Sequence, residues 1–100
     1  MKRIFFIFSC LCLMASACFA QRVKTGIEVL KDNGFKLLEG KRVGLVTNPT
    51  GVDSHLVSDI DILHNAPNVQ LVALYGPEHG VRGSAHAGDA VAGNTDERTH

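Results

Sequence analysis

Val69 to Tyr75 reads Val-Gln-Leu-Val-Ala-Leu-Tyr, an almost unbroken apolar run of strand length. Such runs belong to strands covered on both faces, the situation of a parallel sheet flanked by helices. Lys41 to Thr47 is a second candidate: Val43, Leu45 and Val46 are apolar, and Gly44 lets a neighbour approach closely. Asn48-Pro49-Thr50-Gly51 ends it, because Pro49 cannot continue a ladder and Gly51 suits a tight turn. Between the two runs, Leu56, Ile60 and Leu63 fall on one helical stripe with Val57 and His64 beside it. Asp53 or Ser54 is the expected cap of that helix, and Asn65-Ala66-Pro67-Asn68 its stop. Strand, helix, strand is a βαβ unit, hence a parallel pair with a right-handed crossover. The expected fold is α/β, an open parallel sheet of doubly wound type.

A short helix should precede this unit. Thr25-Gly26-Ile27-Glu28 fits a capping box, with Val23, Ile27 and Leu30 at helical spacing and Asn33-Gly34 as the stop. That places a helix over residues 26 to 33, with Leu37 and Leu38 lying across it in the connection. Residues 83 to 94 are rich in Gly and Ala and read as a mobile loop.

Residues 1 to 20 have the three parts of an export signal: Lys2 and Arg3, an apolar stretch from Ile4 to Ala17, and the small residue Ala20 at the cut. The apolar stretch is shorter than the ~20 residues a membrane span needs, so no span is expected. Ala15-Ser16-Ala17-Cys18 also resembles the segment before a lipidated cysteine, which makes an outer-membrane lipoprotein anchored at Cys18 the alternative to a soluble periplasmic or secreted protein. All three cysteines, Cys10, Cys12 and Cys18, precede the cut, so the mature chain has no thiol chemistry. Losing Lys2 and Arg3 leaves eight basic residues against ten acidic, a balance that argues against nucleic acid as partner. The remainder, residues 21 to 100, is read as the front of a longer protein.

Ligands of open α/β sheets bind beyond the carboxyl ends of the strands. Two loops lie there, Asn48-Pro49-Thr50-Gly51 and Gly76-Pro77-Glu78-His79-Gly80-Val81-Arg82-Gly83. The second concentrates a carboxylate, an imidazole and a guanidinium within five residues. Glu78 is the leading catalytic candidate, since an apolar strand edge favours the protonated form a general acid needs. His79 either orients Glu78 or meets a bound hydroxyl, unless it only caps backbone carbonyls. Arg82 either clamps a carboxylate or pairs with Asp89 or Glu97. Asn48 either bonds a ligand or closes its own turn. His55, His64, His79 and His86 lack a recognised metal spacing, and no metal or cofactor is expected. The chain has no Gly-x-Gly-x-x-Gly after its first strand and no Gly-Lys-Ser/Thr loop, so a nucleotide site is not expected either.

Thr25-Gly26-Ile27-Glu28, Gly44-Leu45-Val46-Thr47-Asn48-Pro49-Thr50-Gly51 and above all Gly76-Pro77-Glu78-His79-Gly80-Val81-Arg82-Gly83 resemble the exo-β-N-acetylmuramidase family NamZ, formerly a domain of unknown function. The resemblance implies a Rossmann-like catalytic domain, of which residues 21 to 100 are the N-terminal portion, followed by a smaller domain with the active site between the two. It implies a glycoside hydrolase that releases terminal non-reducing N-acetylmuramic acid from peptidoglycan fragments during cell-wall turnover and recycling. Glu78 matches the family's catalytic glutamate, and Asn48, His79 and Arg82 match substrate-binding positions. The expected partners are muramyl saccharides derived from peptidoglycan, and the isolated segment is expected to be inactive. A second carboxylate would come from Asp53, from Asp89 or from beyond residue 100; alternatively the substrate's own 2-acetamido group takes that role. The reading from a different class is a non-catalytic periplasmic sugar-binding module on the same scaffold.

Overall fold

The computed structural model describes residues 1–16, 22–90 and 92–100. Cys18, Ala20 and Gln21, on which the expected cleavage and lipidation rest, lie outside the described residues. Helix α1 spans Lys2–Ser16, and its large apolar residues from Ile4 to Leu13 are exposed. Among the described residues no helix is long and apolar enough to cross a membrane.

Helix α2 (Gly26–Asp32) begins at the expected capping box. The Glu28 carboxylate accepts the Thr25 backbone N–H at 2.7 Å and the Thr25 hydroxyl at 3.0 Å. Arg22 and Ser54 also donate to it, so the start of α2 is tied to the loop after the first strand. A 3-10 turn at Lys36–Leu38 follows, entered through Phe35 in a left-handed conformation (φ 54°). Leu38 packs onto the core, whereas Leu37 is exposed.

Strand β1 (Arg42–Val46), helix α3 (Asp59–His64) and strand β2 (Gln70–Tyr75) complete the order, and β1 and β2 pair in parallel. The α/β expectation therefore holds: this is a small Rossmann-like N-terminal unit. The register runs Arg42↔Gln70 and Val43↔Leu71, then slips so that Gly44 faces Ala73, leaving Val72 as an extra residue. The ladder continues past β1 through Thr47 N–H donating to the Tyr75 carbonyl at 2.9 Å.

Phe35, Leu63 and Ala66 form the buried core, with Ile27 and Leu30 of α2, Leu38, and Leu45 and Leu71 of the sheet packed against them. These helices cover one sheet face. The expectation of two covered faces fails within the described residues, since Val46, Val72 and Tyr75 are exposed.

The largest correction concerns α3. It starts at Asp59, with Ser58 as N-cap accepting from Ile60 N–H, not at Asp53 or Ser54. Residues 52 to 58 instead form a tight loop closed by an antiparallel bridge between Val52 and Ser58. Asp53 Oδ1 holds it from inside, accepting the His55 and Val57 N–H groups at 2.8 and 2.9 Å. Leu56 consequently leaves the helical stripe and sits exposed at φ 63°. The side-chain hydrogen bonds available to Asp53 outcompeted the apolar periodicity, as short acidic residues do near turns.

Ile60 is almost fully buried and Leu56 is not, so the two should separate sharply on substitution. Ile60→Ala is expected to cost about 3 kcal/mol, and Leu56→Gly to gain about 1 kcal/mol by relieving the left-handed backbone, both read by chemical denaturation. The hydrogen bonds from Ser54 and Thr25 hold the Glu28 carboxyl at about 2, below its ordinary 4.5. Its contribution is thus present above pH 4.5 and lost as pH falls towards 2. Glu28→Gln should flatten the stability profile across that window in acid titration of the folded fraction.

Candidate functional site

Both strands point their carboxyl ends to the same side, because they are parallel. The loops that leave them, 48–51 and 76–83, therefore meet. Gly83 stands against the Pro49 ring at φ 73°, where a Cβ would come within 2.7 Å of a ring carbon. Between the loops lies a pocket of about 580 Å³ lined by Thr47, Asn48, Thr50, Asp59, Tyr75 and Pro77, among others.

The first loop is self-closing. Asn48 Oδ1 accepts the Thr50 N–H at 3.0 Å and its hydroxyl at 2.7 Å, and the Asn48 carbonyl accepts Gly51 N–H at 3.0 Å. Of the two roles expected for Asn48, the structure displays turn closure, although its residue does border the pocket. Thr47, buried beneath, carries the strand into this turn.

The second loop turns at once after β2. Gly80 N–H donates to the Pro77 carbonyl at 2.8 Å, and a Cβ on Gly76 would lie 2.6 Å from the Val81 backbone nitrogen. Only a residue without a side chain fits at Gly76. The turn presents Glu78 and His79 outward, and both are exposed rather than tucked against the strand edge. The Gly- and Ala-rich segment folds back over them. Gly88 N–H donates to Glu78 Oε1 at 3.0 Å, Ala85 N–H donates to the His79 carbonyl at 3.2 Å, and His79 Nδ1 bonds the Ala85 carbonyl at 3.1 Å. A carbonyl can only accept, so Nδ1 carries the proton and Nε2 is the nitrogen left for other chemistry. His79 is therefore seen capping a carbonyl, not bonding Glu78.

Arg82 points the other way. Its Nε and Nη2 donate to Asp96 at 2.6 and 2.8 Å, and Nη2 also reaches Asp61 on α3 at 3.3 Å. The anticipated partners Asp89 and Glu97 are replaced by Asp96 and Asp61. This half-buried bidentate pair holds Asp96 well below the usual carboxylate range and pushes the guanidinium further up. Arg82 thus bolts the loop to α3 and to the segment after it, with its planar fork committed within the chain.

The pocket therefore gathers Asn48 and Pro77, with Glu78 and His79 at the adjoining turn and Arg82 behind it. Sequence reading missed Thr47, Tyr75 and Asp59. Asp59 escaped because its position depends on α3 starting after a closed loop. Burial, and then the nearby Asp53, push its carboxyl up from the ordinary aspartate value. Asp53 shows the opposite shift, lowered chiefly by the Val57 N–H, and is occupied in holding its loop. Asp89 accepts His86 N–H at 2.9 Å. Among the described residues no group of three or more His, Cys, Asp or Glu side chains is placed to hold a metal ion.

A parallel strand pair with a helical crossover and a pocket at the strand ends defines an N-terminal unit of the Rossmann-like class. Residues 43–100 match the family model for the N-terminal part of the exo-β-N-acetylmuramidase NamZ, and the chain belongs to that family. It is 54% identical over 78 residues to the peptidoglycan β-N-acetylmuramidase NamZ of Bacillus subtilis, an alignment covering 78% of this chain and 19% of that protein. The crystal structure of a DUF1343 family protein from Bacteroides fragilis superposes with a TM-score of 0.66 at 71% identity, over 76% of this chain and 18% of that one. The chain thus spans about a fifth of the length of these relatives.

Two substitutions test the site's scaffold. Arg82→Ala strips Asp96 of its bidentate partner, while Asp61 keeps Arg98 at 2.9 Å, and is expected to cost about 2 kcal/mol, with Arg82→Lys recovering only part of it because an ammonium cannot bond side-on to both oxygens. Gly76→Ala forces its Cβ into backbone and should destabilise more than Gly93→Ala, where nothing lies within 4 Å; thermal denaturation of the pair reads the difference.

Proposed function

We propose that this chain is the N-terminal portion of the catalytic domain of a secreted or periplasmic glycoside hydrolase that releases terminal N-acetylmuramic acid from the non-reducing end of peptidoglycan fragments. Membership of the NamZ family carries the reading, together with the Glu78 turn at the strand end where that family's block falls. The exposed apolar helix α1, whose first two residues are Lys2 and Arg3, supports export through residues 1 to 20. Peptidoglycan lies outside the cytoplasm, so substrate and export agree.

In this mechanism Glu78 is the general acid. Its carboxyl proton passes to the glycosidic oxygen as the C1–O bond breaks, a water's hydroxyl ends on C1, and that water's remaining proton restores the Glu78 carboxyl. Exposure suits Glu78 to meet a substrate, and the Gly88 N–H orients one of its oxygens. Asn48 lines the pocket from its closed turn, and His79, on the turn that follows the lining Pro77, has Nε2 as the ring nitrogen left for a ligand. Arg82 acts as a positioning residue that keeps the turn against α3. Asp53 is unsuited to be the second carboxylate, because its side chain is buried in its own loop.

In the full-length protein, Glu78→Gln should lower turnover of a chromogenic N-acetylmuramic acid glycoside at least about a hundredfold while binding of N-acetylmuramic acid persists. Undiminished turnover would remove Glu78 from the chemistry. Binding without turnover in the wild type would instead favour a sugar-binding module.

A further inference from the structure

A short strap of backbone, residues 85 to 89, reaches back to the turn that carries Glu78. Ala85 is fastened at both its polar backbone atoms. Its N–H donates to the His79 carbonyl at 3.2 Å, and its carbonyl accepts from His79 Nδ1 at 3.1 Å. Three residues further on, Gly88 N–H donates to Glu78 Oε1 at 3.0 Å. Asp89 shapes the strap between those contacts. Its Oδ2 accepts the His86 N–H at 2.9 Å, and its backbone N–H donates to the His86 carbonyl at 3.1 Å, so side chain and main chain close the same turn. Gly88 lies within that turn at φ 87°, a left-handed conformation that glycine adopts without steric cost. The Asp89 carboxylate thus acts on the backbone that delivers the Gly88 N–H.

We propose that Asp89 is a positioning residue for Glu78: by closing the 86–89 turn it holds the Gly88 N–H on Oε1, and so fixes which oxygen of Glu78 carries the acid proton. An N–H can only donate, so the Glu78 oxygen that meets it must accept. In the protonated carboxyl the accepting oxygen is the carbonyl one, which leaves the O–H on Oε2. Glu78 is exposed, and a long side chain on an exposed turn samples many rotamers unless a fixed group restrains it. Placement of the O–H matters steeply, because a displacement of about 1 Å at a reacting group costs on the order of a hundredfold in rate. That Glu78 is the general acid is taken from the hydrolase reading; the tie from Asp89 to Glu78 stands on the hydrogen bonds.

The test uses the full-length protein and two glycosides of N-acetylmuramic acid, each read as kcat/KM, which reports the bond-breaking step. One carries N-acetylglucosamine, whose oxygen needs a proton as it leaves. The other carries dinitrophenolate, far more acidic than the phenols of ordinary chromogenic glycosides, which departs without a proton and so gauges folded, substrate-binding enzyme. Glu78→Gln comes first and should lower kcat/KM on the disaccharide at least about a hundredfold. Undiminished activity there overturns the acid reading and the role of Asp89 with it. With Glu78 essential, Asp89→Ala should lower the disaccharide value about tenfold or more and the dinitrophenyl value by less than about threefold. Asp89→Asn keeps an oxygen for the His86 N–H and should recover most of the loss, which a carboxylate attacking the sugar or activating water would not do. Three results overturn the positioning role alone: Asp89→Ala as active as wild type on the disaccharide, equal losses on both glycosides, or Asp89→Asn as impaired as Asp89→Ala.

Discussion

Two strands running in the same direction cannot be joined by a hairpin, and here that constraint sets nearly everything else. The pairing of β1 with β2 obliges residues 47 to 69 to travel back along the sheet, and α3 is that return path. Its Leu63 then joins Phe35 and Ala66 against the sheet, and α2 closes the same face. The pairing also delivers both strand exits to one side. Asn48 and Pro77, twenty-nine positions apart in the chain, border one pocket for that reason.

What surrounds that pocket is held by polar contacts more than by apolar ones. Asp53 shapes the 52–58 loop from within, Asn48 closes the 48–51 turn, and Arg82 fastens the 76–83 loop to α3 and to Asp96. Each interaction occupies a side chain that would otherwise serve as a ligand. Glu78 and His79 stand exposed on the turn that adjoins the pocket, while Thr47, Asp59 and Tyr75 line it.

The capping box at Thr25 and Glu28, the stop at Asn65, and the strand character of 42–46 and 70–75 were all legible because each rests on neighbouring residues. The start of α3 was not. Leu56, Ile60 and Leu63 have helical spacing, but Asp53 gains two backbone N–H groups by closing a loop, and no pattern of apolar residues expresses that competition. Glu78 was legible as a candidate from the chemistry packed around it. The pairing of Arg82 with Asp96 and Asp61 was not, since it joins positions fourteen and twenty-one apart.

The sequence by itself determined the parallel α/β unit, the turn that displays Glu78, and the family to which the chain belongs. These follow from local composition: apolar runs, turn-forming Gly and Pro, and a block of adjacent residues. Only the tertiary structure decided which polar side chains are consumed by the scaffold and which face the pocket. The physical reason is that hydrogen-bond satisfaction is settled between distant residues. Arg82 found two acidic partners after folding, Asp96 and Asp61, whereas among the described residues no donor reaches the shielded Asp59 Oδ1.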